Sequence, residues 1–204
     1  MKICKRFVPF AISGKVIYSS YMNTNESLEI LKKHTTKINL IKHALAVSAS
    51  MRHFAKLRGE DAEYWACVGM LHDVDYEKYP DAHCDHTREL LEPEGFDEKF
   101  IRSILSHGYE LRNDIEPGNY MEWVLSTIDQ LTGFITACAL ILPDRKLGAV
   151  TMDSIRKRWK VPSFAAGTNR ERIMRYCEKL GHDFDYMAEQ TLVAMKGIAG
   201  ELGL

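Results

Sequence analysis

The stretch Leu40-Ile41-Lys42-His43-Ala44-Leu45-Ala46-Val47-Ser48-Ala49-Ser50-Met51-Arg52-His53-Phe54 decides the fold class. Leu40, Ala44, Val47, Met51 and Phe54 recur at intervals of three and four, which places them on one stripe of an α-helix and on both faces of a strand. A helix is therefore predicted from about Asn39 to a stop at Gly59, a residue free to take the left-handed turn that ends helices. The same period continues on either side. Upstream, Asn23 with Glu26 three residues on is a helix start, and Leu28, Ile30 and Leu31 mark its apolar side. Downstream, a helix beginning near Asp61 is apolar nearly all round through Trp65, Ala66, Cys67, Val68, Met70 and Leu71; it belongs in the middle of a bundle and ends at His72-Asp73. The stretch from Asp75 to Asp85, with Pro80, reads as a loop. A short helix follows from about His86 to Leu91, and Asp97 caps another that carries Phe100, Ile101, Ile104 and Leu105 and stops at His107-Gly108. The longest helix is predicted from about Tyr120 to Leu142, before Pro143, with further helices over 152–159, 169–180 and 184–202. No alternating run argues for a sheet, so the expected fold is all-α, a single compact helical bundle over residues 22–204.

Composition supports a folded chain and narrows its partners. With 204 residues, 46% hydrophobic and 27% charged, the chain can bury a sizeable core and is neither disordered nor collagen-like. Its 27 basic and 28 acidic residues give a formal net charge of -1, which supplies no general attraction to a nucleic-acid polymer. Five cysteines, at 4, 67, 84, 138 and 177, form no CxxC pair and no even set. That pattern predicts inert thiols in a reducing cytoplasm rather than a disulfide scaffold. Residues 1–21 differ from the rest. The run Phe7-Val8-Pro9-Phe10-Ala11-Ile12 behind Lys2, Lys5 and Arg6 looks superficially like a leader, but it is short and broken by Pro9, so a poorly ordered extension is expected there. The helix from Tyr120 carries Glu122, Asp129 and Gln130, and its uninterrupted apolar stretches fall short of the ~18 residues of a membrane span. It is predicted to be a buried core helix, with no membrane partner. Oligomeric state is open: Met187, Leu192 and Met195 give the last helix an apolar face that suits either the core or a second copy.

The chemistry begins with Asp129, a carboxylate inside the most apolar helix of the chain. An unpaired buried carboxylate costs several kcal/mol, so it calls for a positive partner, a metal cation or an arginine. His43 sits on the core stripe of its own helix, where a hydrogen-bonded core histidine is the ordinary alternative to a ligand. His72 and Asp73 are adjacent where the buried helix gives out, His107 ends another helix, and His86 begins one. Imidazole and carboxylate together suit Mn²⁺, Fe²⁺, Ni²⁺ or Zn²⁺, whereas an all-oxygen site suits Mg²⁺ or Ca²⁺. No Gly-rich phosphate loop, GxSxG elbow or Cys-His nucleophile pattern competes.

The sequences around His43 (HALAVSASMRHFA), His72 (GMLHDVDYEKYP) and Asp129 (STIDQLTGFITACALILP) resemble, in order and spacing, the HD-domain superfamily of metal-dependent phosphohydrolases, named for its adjacent His and Asp. The similarity runs from Met22 to the C-terminus and includes Phe164-Ala165-Ala166-Gly167-Thr168-Asn169-Arg170-Glu171. It implies that His43, His72, Asp73 and Asp129 hold one divalent ion. It also implies a second ion, with His86 and His107 as further ligands and Asp73 as the bridge. His83 competes with His86 for that role, although its loop position predicts exposure. The cofactor implied is one or two divalent transition ions (Mn, Fe, Ni or Zn), with Mg as the alternative. The implied reaction is hydrolysis of a phosphomonoester or phosphodiester of a nucleotide-like small molecule by a metal-activated water, with Asp73 as the catalytic residue. Two other activities fit the same resemblance: a binuclear-iron oxygenase, and a nucleotide sensor without turnover. One departure stands out. Several HD subfamilies carry Lys or Glu three residues after the doublet Asp, where this chain has Tyr76, expected to pack with Tyr79 and Pro80 as a lid over the site; Asp75 before it reads as a loop cap, with an acid in the outer shell of the site as the alternative. Arg52, Lys78, Arg88 and Arg112 are candidate phosphate partners, and His34, His53 and His182 are expected to be structural or at the surface.

Overall fold

The computed structural model describes residues 23–204, and every regular element within them is helical apart from one isolated bridge between Tyr109 and Asn113. The expected disorder of residues 1–21 concerns residues outside that range. In chain order the α-helices are α1 (Thr24–His34), α2 (Ile38–Arg58), α3 (Ala62–Leu71), α4 (Thr87–Leu91), α5 (Glu98–Leu105), α6 (Tyr120–Leu140), α7 (Met152–Trp159), α8 (Arg170–Leu180), α9 (Phe184–Gly197) and α10 (Ala199–Leu202). Short 3₁₀ turns lie at Pro80–Ala82, Ser106–Gly108 and Leu147–Ala149. The all-α expectation holds.

Local chemistry places the helix ends. Asn23 accepts from the backbone of Glu26 while Glu26 returns the bond, a capping box that starts α1. Gly59 ends α2 with φ 70°, a conformation that penalises any residue with a Cβ. Asp61 caps α3 through the backbone N–H groups of Glu63 and Tyr64. Asp97 and Asn119 do the same for α5 and α6.

Helix α3 is the centre of the bundle, packed on α2 along one side and on α1 and α5 along others. From Trp65 to Leu71 every residue is buried, as its continuous apolar character requires. Contact with α2 is close because Gly69 has no side chain: a Cβ there would lie 2.9 Å from Met51 Cγ and 3.1 Å from the Ser48 backbone. Ser48 seals the seam by donating to the Ala66 carbonyl at 2.8 Å.

Helix α6 passes across α2, α8 and α9. Leu125, Ile128, Leu131, Phe134 and Ile135 are fully buried on it. Each such side chain contributes about 1.5–3 kcal/mol by leaving water, so the apolar face sets the position of the helix and Asp129 must follow. By length and composition α6 could cross a membrane, yet most of its apolar stretch is enclosed by the other helices, as expected of a core helix. The C-terminal segment differs from the expectation of one helix over 184–202. It breaks at Ile198 (φ -122°, ψ 21°) between Gly197 and Gly200, two residues of low helix propensity, leaving the single turn of α10. Met187, Leu192 and Met195 pack inward on the chain's own core.

Candidate metal centre

Four elements of the bundle deliver side chains to one place. His43 comes from α2, His72 and Asp73 from the end of α3, His107 from the 3₁₀ turn after α5, and Asp129 from α6. His43 Nε2 lies 3.0 Å from Asp129 Oδ1 and 3.6 Å from Asp73 Oδ2. His72 Nε2 lies 3.4 Å from Asp73 Oδ2 and 3.5 Å from Asp129 Oδ1. The other oxygen of Asp73 faces a second pair of imidazoles, with His83 Nε2 at 3.1 Å and His107 Nε2 at 3.6 Å. Asp73 thus divides its two oxygens between two nitrogen-bearing groups.

His83 stands where His86 was expected. Predicted to be exposed, it is buried, because Asp75 folds the loop back on itself. Asp75, fully buried, takes the His83 Nδ1 hydrogen bond at 2.7 Å and accepts from Thr87 Oγ1 at 3.1 Å and the His86 backbone N–H at 3.3 Å. One carboxylate therefore caps the loop and orients an imidazole. His86 lies outside the cluster, its ring stacked on Tyr79 at 3.7 Å with Nδ1 3.0 Å from Glu89 Oε1. The neighbouring Cys84 is of a residue type that is often buried, but burial of one loop residue does not set the direction of the next, so it gave no signal for His83. Cys84 is itself buried, with Sγ 4.0 Å from His107 Nε2. His34, His53 and His182 pair elsewhere, with Lys78, Gln190 and Tyr120 respectively.

Tautomers in the cluster follow from the acceptors. His72 Nδ1–H donates to the Gly69 carbonyl at 2.8 Å, His107 Nδ1–H to the Ile104 carbonyl at 2.6 Å, and His83 Nδ1–H to Asp75. All three rings consequently turn Nε2 toward Asp73. His72 Nε2 is buried without a hydrogen-bond partner, and the Nε2 atoms of His83 and His107 face each other at 3.0 Å. Two lone pairs cannot sit that close unless a cation or a proton lies between them. Outer acceptors on Nδ1 and bare Nε2 atoms pointing at carboxylates are how proteins prepare imidazoles for metal, so the residues fit a divalent ion.

Within the cluster the imidazoles and carboxylates shift one another's protonation. Burial opposes ionisation of His72, but Asp73 and Asp129 outweigh it and push the imidazole up to about 10. Burial likewise opposes His83, and its bonds to Asp73 and Asp75 push it up to about 12. His107 is raised to about 9 against burial, through Cys84 and Asp73. Burial favours protonation of Asp73 and Asp129, yet the surrounding imidazoles hold both well below the usual carboxylate range. The Cys84 thiol, which burial alone would raise, is brought down to about 7 by His107 and His83. Access is one-sided: His43, Asp73 and Asp129 keep 22%, 18% and 21% of their side-chain surface, whereas His72 keeps none.

The other expected contributors are engaged elsewhere. Arg52 pairs with Glu63, Arg88 with Glu92 and Glu98, and the Lys78 ammonium lies against His34. Arg112 is exposed. Tyr76 sets its ring against His83 in a T-shaped contact at 5.2 Å between centroids, half in solvent beside the cluster, while Tyr79 belongs to His86.

Residues 40–133 match the family model described as HD domain, a span that contains every residue of the cluster. No curated protein and no solved structure matches the chain. HD domains bind divalent metals, and the histidines, carboxylates and thiol gathered here are candidate ligand groups of that kind. The match over those residues and the clustered doublet identify residues 40–133 as an HD domain, which supports a place in the HD-domain superfamily of metal-dependent phosphohydrolases.

Proposed function

We propose that the chain hydrolyses a phosphomonoester or phosphodiester of a nucleotide-sized molecule at a two-ion centre. The observation that carries this reading is the division of Asp73, with Oδ2 toward His43 and His72 and Oδ1 toward His83 and His107. His43, His72, Asp129 and Asp73 would hold one divalent ion, and His83, His107 and Asp73 the other. When bound, such ions polarise phosphoryl oxygens and acidify a water molecule. Asp73 keeps the two positions adjacent, and the Nδ1 anchors of His72, His83 and His107 keep the rings from turning away when protons leave them. Substrate and water enter from the side on which His43, Asp73 and Asp129 retain exposure. Tyr76, partly exposed beside His83, borders that side and offers a phenol to a substrate oxygen or ring.

With three of the four candidate cations occupied by other partners, phosphate charge would be balanced by the ions and imidazoles themselves. That arrangement suits a small anion better than a nucleic-acid polymer, as does the net charge of -1. Among the described residues the cysteines are buried and joined by no disulfide, which suits a reducing cytoplasm. The test is elemental analysis of the purified chain joined to phosphate release from a panel of phosphorylated metabolites. Bound transition metal and turnover are expected, and Asp73→Ala should remove both, lowering activity more than about a hundredfold, since even outer partners of metal ligands cost 10–100-fold. Iron with oxygen uptake and no phosphate release would replace the hydrolase reading with an oxygenase one, and full activity in Asp73→Ala would end it.

A further inference from the structure

Cys84 has no task in the reading above, yet its place is a built one. Its backbone adopts φ 78°, the left-handed region that costs a residue with a Cβ about 1 kcal/mol or more. That turn brings the side chain inside, where Sγ and one ring nitrogen each of His83 and His107 lie within 4.8 Å of one another. Room for the sulfur comes from Gly108, directly after His107. A Cβ on Gly108 would lie 2.8 Å from Cys84 Sγ and 2.7 Å from Asn113 Nδ2, and Asn113 is committed to the Leu105 carbonyl. A cysteine serving only as a small apolar filler needs neither a strained backbone nor a glycine clearance beside two imidazoles.

The separations are those of a coordination shell slightly out of adjustment. With metal–nitrogen bonds near 2.05 Å and metal–sulfur bonds near 2.3 Å, the ligand atoms of a tetrahedral ion sit roughly 3.3 Å (N to N) to 3.6 Å (N to S) apart. Here the two nitrogens are 3.0 Å apart, sulfur to His107 is 4.0 Å, and His83 Nε2 to Asp73 Oδ1 is 3.1 Å. Adjustments of a few tenths of an ångström bring these three pairs to coordination distances.

We propose that Cys84 is a thiolate ligand of the second ion, completing with His83, His107 and Asp73 Oδ1 a set of two nitrogens, one sulfur and one oxygen. The inference rests on the two-ion reading and deepens it by making the two positions chemically unequal. The position at His43, His72, Asp129 and Asp73 has only nitrogen and oxygen donors and accepts Mn²⁺, Fe²⁺ or Zn²⁺. A thiolate position selects Zn²⁺, Fe²⁺ or Co²⁺ and rejects Mg²⁺. Coordination breaks the S–H bond, sends the proton to solvent and forms the metal–sulfur bond, with no change of oxidation state.

Cobalt tests this on the full chain. After removal of metal with a chelator, titration with Co²⁺ is expected to bind two equivalents and to produce a near-ultraviolet thiolate-to-cobalt charge-transfer band with one of them. Cys84→Ser should abolish the band and weaken that equivalent about tenfold or more, while Cys138→Ser, remote from the cluster, should leave the band intact. Gly108→Ala, which keeps the cysteine but pushes on its sulfur, should shrink or shift the band, so the result does not depend on the folding of one variant. Cobalt bound without a charge-transfer band in the unaltered chain, or a band that survives Cys84→Ser, overturns the thiolate ligand and leaves the two-ion reading standing. No cobalt bound at all removes both.

Discussion

Asp75 holds His83 by a 2.7 Å bond from a fully buried position, so the second ion should depend on a residue that never touches it. Asp75→Asn is expected to lower occupancy of that position about 10–100-fold while leaving the position at His43, His72 and Asp129 filled, read as metal stoichiometry after dialysis. The imidazoles also set a pH dependence. A group raised in the folded state stabilises it fully below its unfolded value and loses that contribution as pH rises through the folded one. With His107 raised to about 9 and His72 to about 10 from the ordinary imidazole value of 6.5, the chelator-treated chain should lose stability progressively above about pH 6.5, with these two contributions gone by about pH 10. Asp73 and Asp129 are held down, so their contribution is present above about pH 4 and disappears as pH falls below it. Denaturant midpoints at pH 2, 6 and 10 check both limbs, with the maximum expected at 6. Because metal displaces protons from these rings, calorimetric titration in buffers of different ionisation enthalpy should show proton release at pH 7 and affinity that rises with pH. At this scale the sequence was readable where a residue's helix dictated its neighbours. His43, His72, Asp73, His107 and Asp129 all sit on or at the ends of helices, and the structure brings them together. His83 was not readable, because its inward turn depends on bonds between Asp75 and groups eight to twelve residues away, on a loop with no period.

Among the elements, α2 and α3 meet through Gly69, which also supplies the carbonyl that orients His72. Gly69→Ala would drive a methyl group against Met51 and the Ser48 backbone, and about 1–3 kcal/mol of destabilisation is expected by chemical denaturation, with weaker metal binding beside it. Helix α6 is tied to α5 by Glu122, which is 2% exposed and receives Arg102, Ser103 Oγ at 2.9 Å and the Gly118 N–H at 2.7 Å. Removing the acceptor in Glu122→Ala strands the Gly118 N–H and leaves Ser103 Oγ only the Lys99 carbonyl, at 3.0 Å. Arg102, partly exposed, can turn to water, so the expected cost is about 2–3 kcal/mol rather than the larger figure of a fully enclosed pair. The helices themselves were legible because apolar residues at three- and four-residue spacing, capped by Asn23, Asp61, Asp97 and Asn119, leave little freedom in where a helix begins. Breaks governed by long-range packing were less so, as the interruption at Ile198 shows.

For the whole molecule, an ion that binds the folded chain and not the unfolded one stabilises it by mass action, about 2.7 kcal/mol at a free concentration of 100 times its Kd. Thermal midpoints should therefore climb with added Zn²⁺ or Co²⁺ in the unaltered chain and stay flat in Asp73→Ala. The C-terminal helices take part in this as well. Arg172, on α8 and 2% exposed, donates to the His107 carbonyl at 2.7 Å and to Tyr176 at 2.9 Å, and Gln130 beside Asp129 accepts the Asn169 N–H at 2.8 Å. A fragment trimmed to residues 40–133 would retain every candidate donor atom and still lose the clamp on the backbone that presents two of them. Anyone shortening this chain for expression or grafting should cut no earlier than the end of α8.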